Sequence, residues 1–477
     1  MGILLNICYI IVILFTWPYF LIQSWRHGKY REGFRAKFLG DIPESPDNYH
    51  RNGIITEPQR LWFHAVSVGE AVLISPLVAR LCRGSADHET AENGAVKNRP
   101  LDVDVVISTT SQTGQAVARQ RYPDRTIFYA PLDFTWAVRR ALRRIRPTTL
   151  VLVELEIWPN LIRISHLAGV RIVVVNGRIS EHSFNGYRRF RWWLRPIFES
   201  LDQVCAQDEA SAQRFMKLGV PADHVVVTGS LKYDGAQTDR NNPATQRLCR
   251  LAGLPPFSAE NVTVKNAPII FMAGSTQPGE DEMAIDIFRK LAPSHPELRL
   301  ILVPRHPERF AAVWELCRNA GYPALRRSEI RKKNNMDGRK DTEHTSAEHL
   351  NVGHSDHPDW RILLVDTVGE LSAWWGMAAI AMVGGSFPPG SRGGQNMIEP
   401  AGFGAAVCFG TDTRNFRDIV ATLLAADAAR IIHDATELES FVAGCLDNPE
   451  STLELGRRAQ EIVLRQQGAV HRTFEHL

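Results

Sequence analysis

The feature that most narrows the fold is an alternation. Short apolar runs rich in branched residues alternate with amphipathic stretches of helical spacing, in two series along the chain. That pattern builds βα units, because neighbouring parallel strands need a covering helix between them. In the first series residues 61–65, 103–109, 149–153, 171–176 and 225–228 read as strands; in the second, residues 269–273, 298–303, 362–366, 380–383 and 406–409. The segment 239–265 between them is partly polar, with proline and asparagine, and reads as a linker. At 477 residues the chain is long enough for two cores. The expected fold class is therefore α/β, with two doubly wound, Rossmann-like domains facing a cleft, since such sheets take ligands beyond the carboxyl ends of their strands. Residues 24–238 form the first domain in this division and residues 266–477 the second. Segments 83–100 and 326–360 fall outside the pattern and read as solvated insertions. His344, His349, His354 and His357 in the second of these lack the apolar framework that would hold metal ligands.

Residues 3–23 form an almost unbroken apolar run without a charge, about the length that crosses a hydrocarbon core as a helix. No basic segment precedes it and no small-residue cleavage site follows, so a transmembrane anchor is expected rather than a cleaved signal peptide. Arg26, Lys29, Arg31, Arg35 and Lys37 follow at once, and the positive-inside rule then puts the downstream domains on the cytoplasmic side of an inner membrane. Seven scattered cysteines without paired spacing fit that reducing compartment. A net charge of +3 is too mild to imply a nucleic-acid partner.

Candidate chemistry falls where strands end. The segment Phe63-His64-Ala65-Val66-Ser67-Val68-Gly69-Glu70 runs from a strand through a small-residue turn into a helix. Ser67 and Glu70 have capping-box spacing, yet a carboxylate at the carboxyl edge of a sheet also stands where an α/β domain presents functional groups. Glu154 and Glu156 follow the next strand but one in Glu154-Leu155-Glu156-Ile157-Trp158-Pro159-Asn160, and periodicity does not separate their roles. A carboxylate of suitable pKa can take a proton from a sugar hydroxyl. Lys232, in Thr228-Gly229-Ser230-Leu231-Lys232-Tyr233-Asp234, could neutralise developing negative charge.

The second series carries groups suited to phosphate: Gly274-Ser275-Thr276, Pro304-Arg305-His306-Pro307, Gly369-Glu370, and a glycine-rich stretch from Gly384 to Glu399. Glycines let main chain approach phosphate oxygens, helix N-termini add positive potential, and arginine gives bidentate contacts. Glu399 could accept from ribose hydroxyls. There is no GxxxxGK[ST] and no strand-GxGxxG-helix fingerprint, so triphosphate hydrolysis and NAD binding lose support. Asp102-Val103-Asp104 resembles a metal-binding DxD, but its alternation into Val105, Val106 and Ile107 makes it a strand entry, and no catalytic metal or cofactor is expected.

Taken in order, HAVSVGE, ELEIWPN, VTGSLKYD, AGSTQPGEDE, LVPRHPERF, DTVGELSAWW and GGQNMIEPAGFG resemble the 3-deoxy-D-manno-octulosonic acid (Kdo) transferase family over nearly the whole chain. The resemblance implies a GT-B fold, CMP-Kdo as donor, the lipid A precursor (lipid IVA) as acceptor, and inversion at the anomeric carbon. It also implies roles: Glu70 as proton acceptor, Glu154 and Lys232 as transition-state stabilisers, and Pro304, Arg305, Val368, Gly369, Glu370, Asn396, Met397, Ile398 and Glu399 as the CMP site. Two departures stand out. Gln395 replaces the histidine usual in the glycine-rich motif, and Leu155 replaces a threonine. Two other readings accommodate the same fold: a membrane-anchored nucleotide-sugar binder without turnover, and a GT-B nucleotide-sugar epimerase.

Overall fold

In the computed structural model of the protein, the described residues are 2–27, 32–44, 49–51, 54–56, 59–83, 103–255, 267–330 and 360–477, with side chains of residues 17–27, 49–51 and 54–56 left aside. The four histidines 344, 349, 354 and 357 and most of both expected insertions lie outside them. The chain divides into two compact units. One comprises Met1–Gly235 with Gln466–Leu477, the other Ala236–Arg465.

Among the described residues every strand pairing is parallel apart from a short antiparallel pair, β1 (Tyr49–Arg51) with β2 (Ile54–Thr56). The first unit holds a seven-stranded sheet of β3 (Gln59–His64), β4 (Val103–Thr109), β5 (Thr126–Tyr129), β6 (Thr149–Val153), β7 (Arg171–Gly177), β8 (Gln203–Ala206) and β9 (Val225–Val227). Its order is β5-β4-β3-β6-β7-β8-β9, so the order reverses beside β3, and β3 and β6 are neighbours. That is the switch point at which such sheets open a crevice. Period-two alternation builds a core on each side. Trp62, Val106, Leu150, Leu152, Ile172 and Val174 pack on one face, and Leu61, Phe63, Val105, Ile107, Val151, Val153, Val173 and Val175 on the other. Each such side chain contributes about 1.5–3 kcal/mol of burial.

The second sheet contains β10 (Ile269–Thr276), β11 (Leu298–Pro304), β12 (Ala324–Arg326), β13 (Ile362–Leu364), β14 (Ile380–Val383), β15 (Ala406–Phe409) and β16 (Ala429–Ile431), in the order β12-β13-β11-β10-β14-β15-β16. Strands β13, β11, β10 and β14 are consecutive in that order and put the loops after 364, 304, 276 and 383 side by side.

Three boundaries differ from the sequence division. Part of the expected linker is ordered structure: helix Pro243–Ala252 buries Leu248 and Cys249 in the second unit. Residues 466–477 belong to the first unit, where Asp234 accepts from the backbone N–H groups of Gly468 (2.7 Å) and Val470 and so starts helix Ala469–Phe474. The expected insertion at 326–360 begins later, because Arg326 closes β12 and Arg327 and Ile330 are buried, and Trp360 is buried at its far end.

The N-terminal run is helical over Gly2–His27, but among the described residues no helix is long and apolar enough to cross a membrane. The expected span is thus not shown; its residues 17–23 have side chains outside the description. What is described is docked to the first unit: Asn6 Nδ2 donates to Thr135 Oγ1 at 2.8 Å and the Tyr9 hydroxyl to Asp133 at 2.9 Å. Asp133 also accepts from the N–H groups of Asn160 and Leu161 and caps helix Pro159–Leu167.

Candidate active site

In the first unit the turn after β3 forms the expected cap. Ser67 is the N-cap of helix Val68–Leu73 and its Oγ accepts from Glu70 N at 3.2 Å. The Glu70 carboxylate folds back to accept from Val66 N at 2.8 Å and from Ser67 Oγ at 2.7 Å. The capping geometry and a functional role therefore coexist, because these contacts fix the carboxylate in one rotamer at 9% exposure. Burial pushes its pKa up to about 7, with Glu156 and Glu154 adding in the same direction against the two hydrogen bonds.

Glu154 sits just past β6 with φ of 61°, and Asn176 near the end of β7 has φ of 56°. Two non-glycine residues in the left-handed region on adjacent strands mark strained backbone, a state that persists only where the surroundings impose it. Here Glu154 Oε1 receives Lys232 Nζ at 3.2 Å and Asn176 Nδ2 at 3.4 Å, and Asn176 Oδ1 accepts from Leu231 N at 2.9 Å. Asn176 thus ties the Glu154 turn to the segment carrying Lys232. Sequence reasoning missed it; the only signal was an Asn-Gly at a strand end, where asparagine tolerates positive φ.

The structure separates the two glutamates that periodicity left together. Glu154 faces Lys232, whereas Glu156 accepts from Trp158 Nε1 at 2.7 Å and has its pKa raised by burial. Trp158 in turn meets the His64 ring edge-to-face, with centroids 5.0 Å apart. Asp104, from the DxD-like triplet, lies in β4 and is bound by Arg60 at 2.6 Å, a structural ion pair.

In the second unit the expected nucleotide residues fall at the carboxyl ends of β11 and β13 and where the segment after β14 enters its helix. Pro304 ends β11, and Arg305 N donates to Thr276 O at 3.1 Å. The charge of Arg305 acts on Glu399, whose pKa burial raises and Asn396 and Arg305 partly restore. Asn396 Nδ2 donates to Glu399 Oε1 at 3.0 Å and its Oδ1 accepts from Ile398 N at 3.1 Å, which starts helix Ile398–Gly402. Met397 and Ile398 are buried, so what they offer a ligand is main chain. After β13, Val368 is 77% exposed and Gly369 has φ of 91°, so this tip is reachable from solvent.

Two carboxylates that the motifs did not single out organise this region. Buried Glu280 accepts from the N–H groups of Gln277 (2.7 Å), Gly385 (2.8 Å), Ser386 (3.2 Å) and Phe387 (3.1 Å) and so shapes the glycine-rich turn. Any side chain at Gly384 would sit 2.6 Å from Glu280 Oε2. Asp281 takes the Thr276 hydroxyl and pairs with Arg309. The Ser275–Thr276 hydroxyl pair expected to meet an anion is thereby reduced, since Thr276 is fully buried and already engaged.

A carboxylate poised near neutrality beside a lysine–carboxylate pair, and a second parallel-sheet unit presenting glycine-rich loops and an arginine, suit a glycosyltransferase, and the relatives of the chain show that class. Residues 43–235 match the family described as 3-Deoxy-D-manno-octulosonic-acid transferase (kdotransferase). The 3-deoxy-D-manno-octulosonic acid transferase of Bordetella pertussis is 30% identical over 87% of this chain and 86% of its own. That of Haemophilus influenzae is 28% identical over 90% of this chain and 89% of its own. The C-terminal CMP-Kdo binding domain of WaaA from Acinetobacter baumannii aligns over 46% of this chain and 98% of its own, at 26% identity and a TM-score of 0.36. The chain belongs to the Kdo transferase family, and its activity is transfer of Kdo.

Proposed function

We propose that this GT-B type enzyme transfers Kdo from CMP-Kdo to a sugar hydroxyl of the lipid A precursor, lipid IVA, in one inverting step. Glu70 takes the acceptor hydroxyl proton as the oxygen bonds to the anomeric carbon of Kdo. The bond from that carbon to the phosphate oxygen breaks, and CMP leaves with the electron pair. The observation that carries this reading is the state of Glu70: buried, held by two hydrogen bonds, and with a proton affinity near pH 7. A base so poised is about half ionised at neutral pH and basic enough to accept a proton.

Glu154 and Lys232 act as a pair, the lysine offsetting negative charge in the transition state and the carboxylate holding it in place. Pro304, Arg305, Val368, Gly369, Glu370, Asn396, Met397, Ile398 and Glu399 bind CMP, with Arg305 and main-chain N–H groups meeting its phosphate in place of a metal. The acceptor is an anionic amphiphile. Trp192, 80% exposed, and Phe190, 56% exposed, stand among Arg188, Arg189 and Arg191 and suit such a surface. In this reading the N-terminal helix attaches the enzyme to the inner membrane with the catalytic units in the cytoplasm. Its support is the apolar run 3–23, the basic residues after it, and outward-facing Ile3, Leu4, Leu14 and Phe15.

The test is incubation of the purified full chain with CMP-Kdo and lipid IVA, followed by mass spectrometry of the lipid. The expected product gains one or more Kdo masses, and the spectrum counts them. Binding of CMP-Kdo with no lipid product would leave a nucleotide-sugar binder, and a new nucleotide sugar would leave an epimerase.

A further inference from the structure

We infer that Arg327 is a positioning residue of the donor site, presetting Glu370 as a fixed hydrogen-bond acceptor for the nucleoside. The inference rests on the reading of Val368, Gly369 and Glu370 as nucleotide-binding. Arg327 follows β12, an edge strand whose Arg326 is in register with Leu364 of β13, so it stands beside the loop that leaves β13. Two contact sets join these loops. Asp366 accepts from Arg326 Nε at 3.0 Å, Ser328 N at 2.8 Å and Ser328 Oγ at 2.6 Å. Glu370 accepts from Arg327 Nε at 3.0 Å and Nη2 at 2.8 Å, and from Thr367 Oγ1 at 2.7 Å.

The first set alone would hold the loops together, which makes the second informative. Arg327 is 1% exposed, and its Nη1 has no hydrogen-bond partner among the described residues. A buried guanidinium with one nitrogen unmet is a poor stabiliser compared with an apolar side chain of similar volume. What it supplies that an apolar residue would not is control of Glu370. The fork grips both carboxylate oxygens and fixes their plane, and burial of the carboxylate is outweighed by Thr367 and Arg327, which keep it ionised. The acceptor count then follows. Oε2 accepts two hydrogen bonds and Oε1 one, which leaves one further acceptor direction on Oε1; the buried Trp374 indole N–H also acts on this carboxylate but makes no hydrogen bond to it, and Arg247 Nη2 comes no nearer than 3.9 Å. An ionised carboxylate with one open direction accepts from a ribose hydroxyl or a base amine and disfavours a carbonyl oxygen there.

The experiment measures CMP binding by calorimetry, and KM and kcat for CMP-Kdo, on the full chain and on Arg327→Gln, Arg327→Lys, Glu370→Gln and the Arg327→Gln/Glu370→Gln double variant. Arg327→Gln is expected to weaken CMP binding and raise donor KM about tenfold, with kcat at saturating donor unchanged. Arg327→Lys keeps the charge without the fork and should fall between the two. The double variant should be no weaker than the weaker single, because both act through the same acceptor. Wild-type affinity in folded Arg327→Gln, or additive losses in the double variant, would overturn the inference while leaving the donor site in place. Should Arg327→Gln not fold, Arg327→Lys decides: a CMP affinity equal to wild type overturns it. No CMP binding by the wild-type chain would remove the nucleotide reading itself, and this inference with it.

Discussion

Glu70 in the first unit and Glu370 in the second are the same residue type, each placed beyond the carboxyl end of a parallel strand. Their surroundings drive them apart. Glu70 has only a backbone N–H and a hydroxyl for company, and burial, with a smaller contribution from Glu156 and Glu154, pushes its pKa up to about 7. Glu370 meets a buried guanidinium and a threonine hydroxyl, and its pKa lies below the ordinary carboxylate range. One site is built to exchange a proton, the other to stay charged and hold a ligand. The lesson is that the balance between burial and partner groups, not residue type or position in the fold, assigns the role.

The widest test of that contrast is Glu70→Gln. Transfer should fall about 10³-fold or more, roughly 4 kcal/mol, while calorimetric CMP affinity stays within about twofold. In the wild-type chain kcat/KM should drop about tenfold per unit as pH falls below about 7, where Glu70 is protonated, with CMP binding far flatter across the same interval. Parallel loss of rate and CMP affinity would erase the division of labour. Lys232→Met should follow, with kcat reduced about 10²-fold, roughly 2.7 kcal/mol, and donor KM little changed. Arg305→Ala should show the mirror image, a donor KM raised roughly 10- to 30-fold, about 2 kcal/mol, and a smaller change in kcat.

The subtlest test is thermodynamic. The folded pKa of Glu70 lies above its unfolded value, so the folded chain binds the proton more tightly, and the associated stability is present below about pH 4.5 and lost as pH rises through about 7. Glu70→Gln removes the buried charge. It should therefore match or trail the wild type at pH 4.5 and gain on the order of 2 kcal/mol relative to it by pH 8, read from melting temperatures at the two pH values. A constant difference across that range would mean that Glu70 is not desolvated in solution.

The fold was legible wherever strands were interior and carried a run of apolar residues. The apolar runs at 103–109, 149–153, 380–383 and 406–409 coincide with β4, β6, β14 and β15. Thr126–Tyr129, Ala324–Arg326 and Ala429–Ile431 were not anticipated, because each is a short edge strand with a polar residue in it, and interior Gln203–Ala206 opens on a glutamine and carries a single branched apolar residue. At the site, Glu70, Glu154 and Lys232 could be proposed because their motifs sit at strand ends. The residues that hold these groups and the loops of the second unit in place could not. Asn176, Glu280 and Arg327 act through contacts 22 or more residues away in sequence, at Glu154, Gly385 and Glu370. Arg327 was further hidden in a run of charged residues that resembles a solvated insertion.

The return of residues 466–477 to the first unit bears on how the protein is made. Asp234 caps a helix more than two hundred positions downstream, and Ala469 is fully buried in the first unit's core. The second unit, residues 236–465, is thus an insertion within the first and is contiguous in sequence. During synthesis it can fold as soon as it leaves the ribosome, while the unit begun earlier waits for the final segment. A frameshift or protease cut near residue 465 would therefore strike first at the half of the enzyme translated longest before.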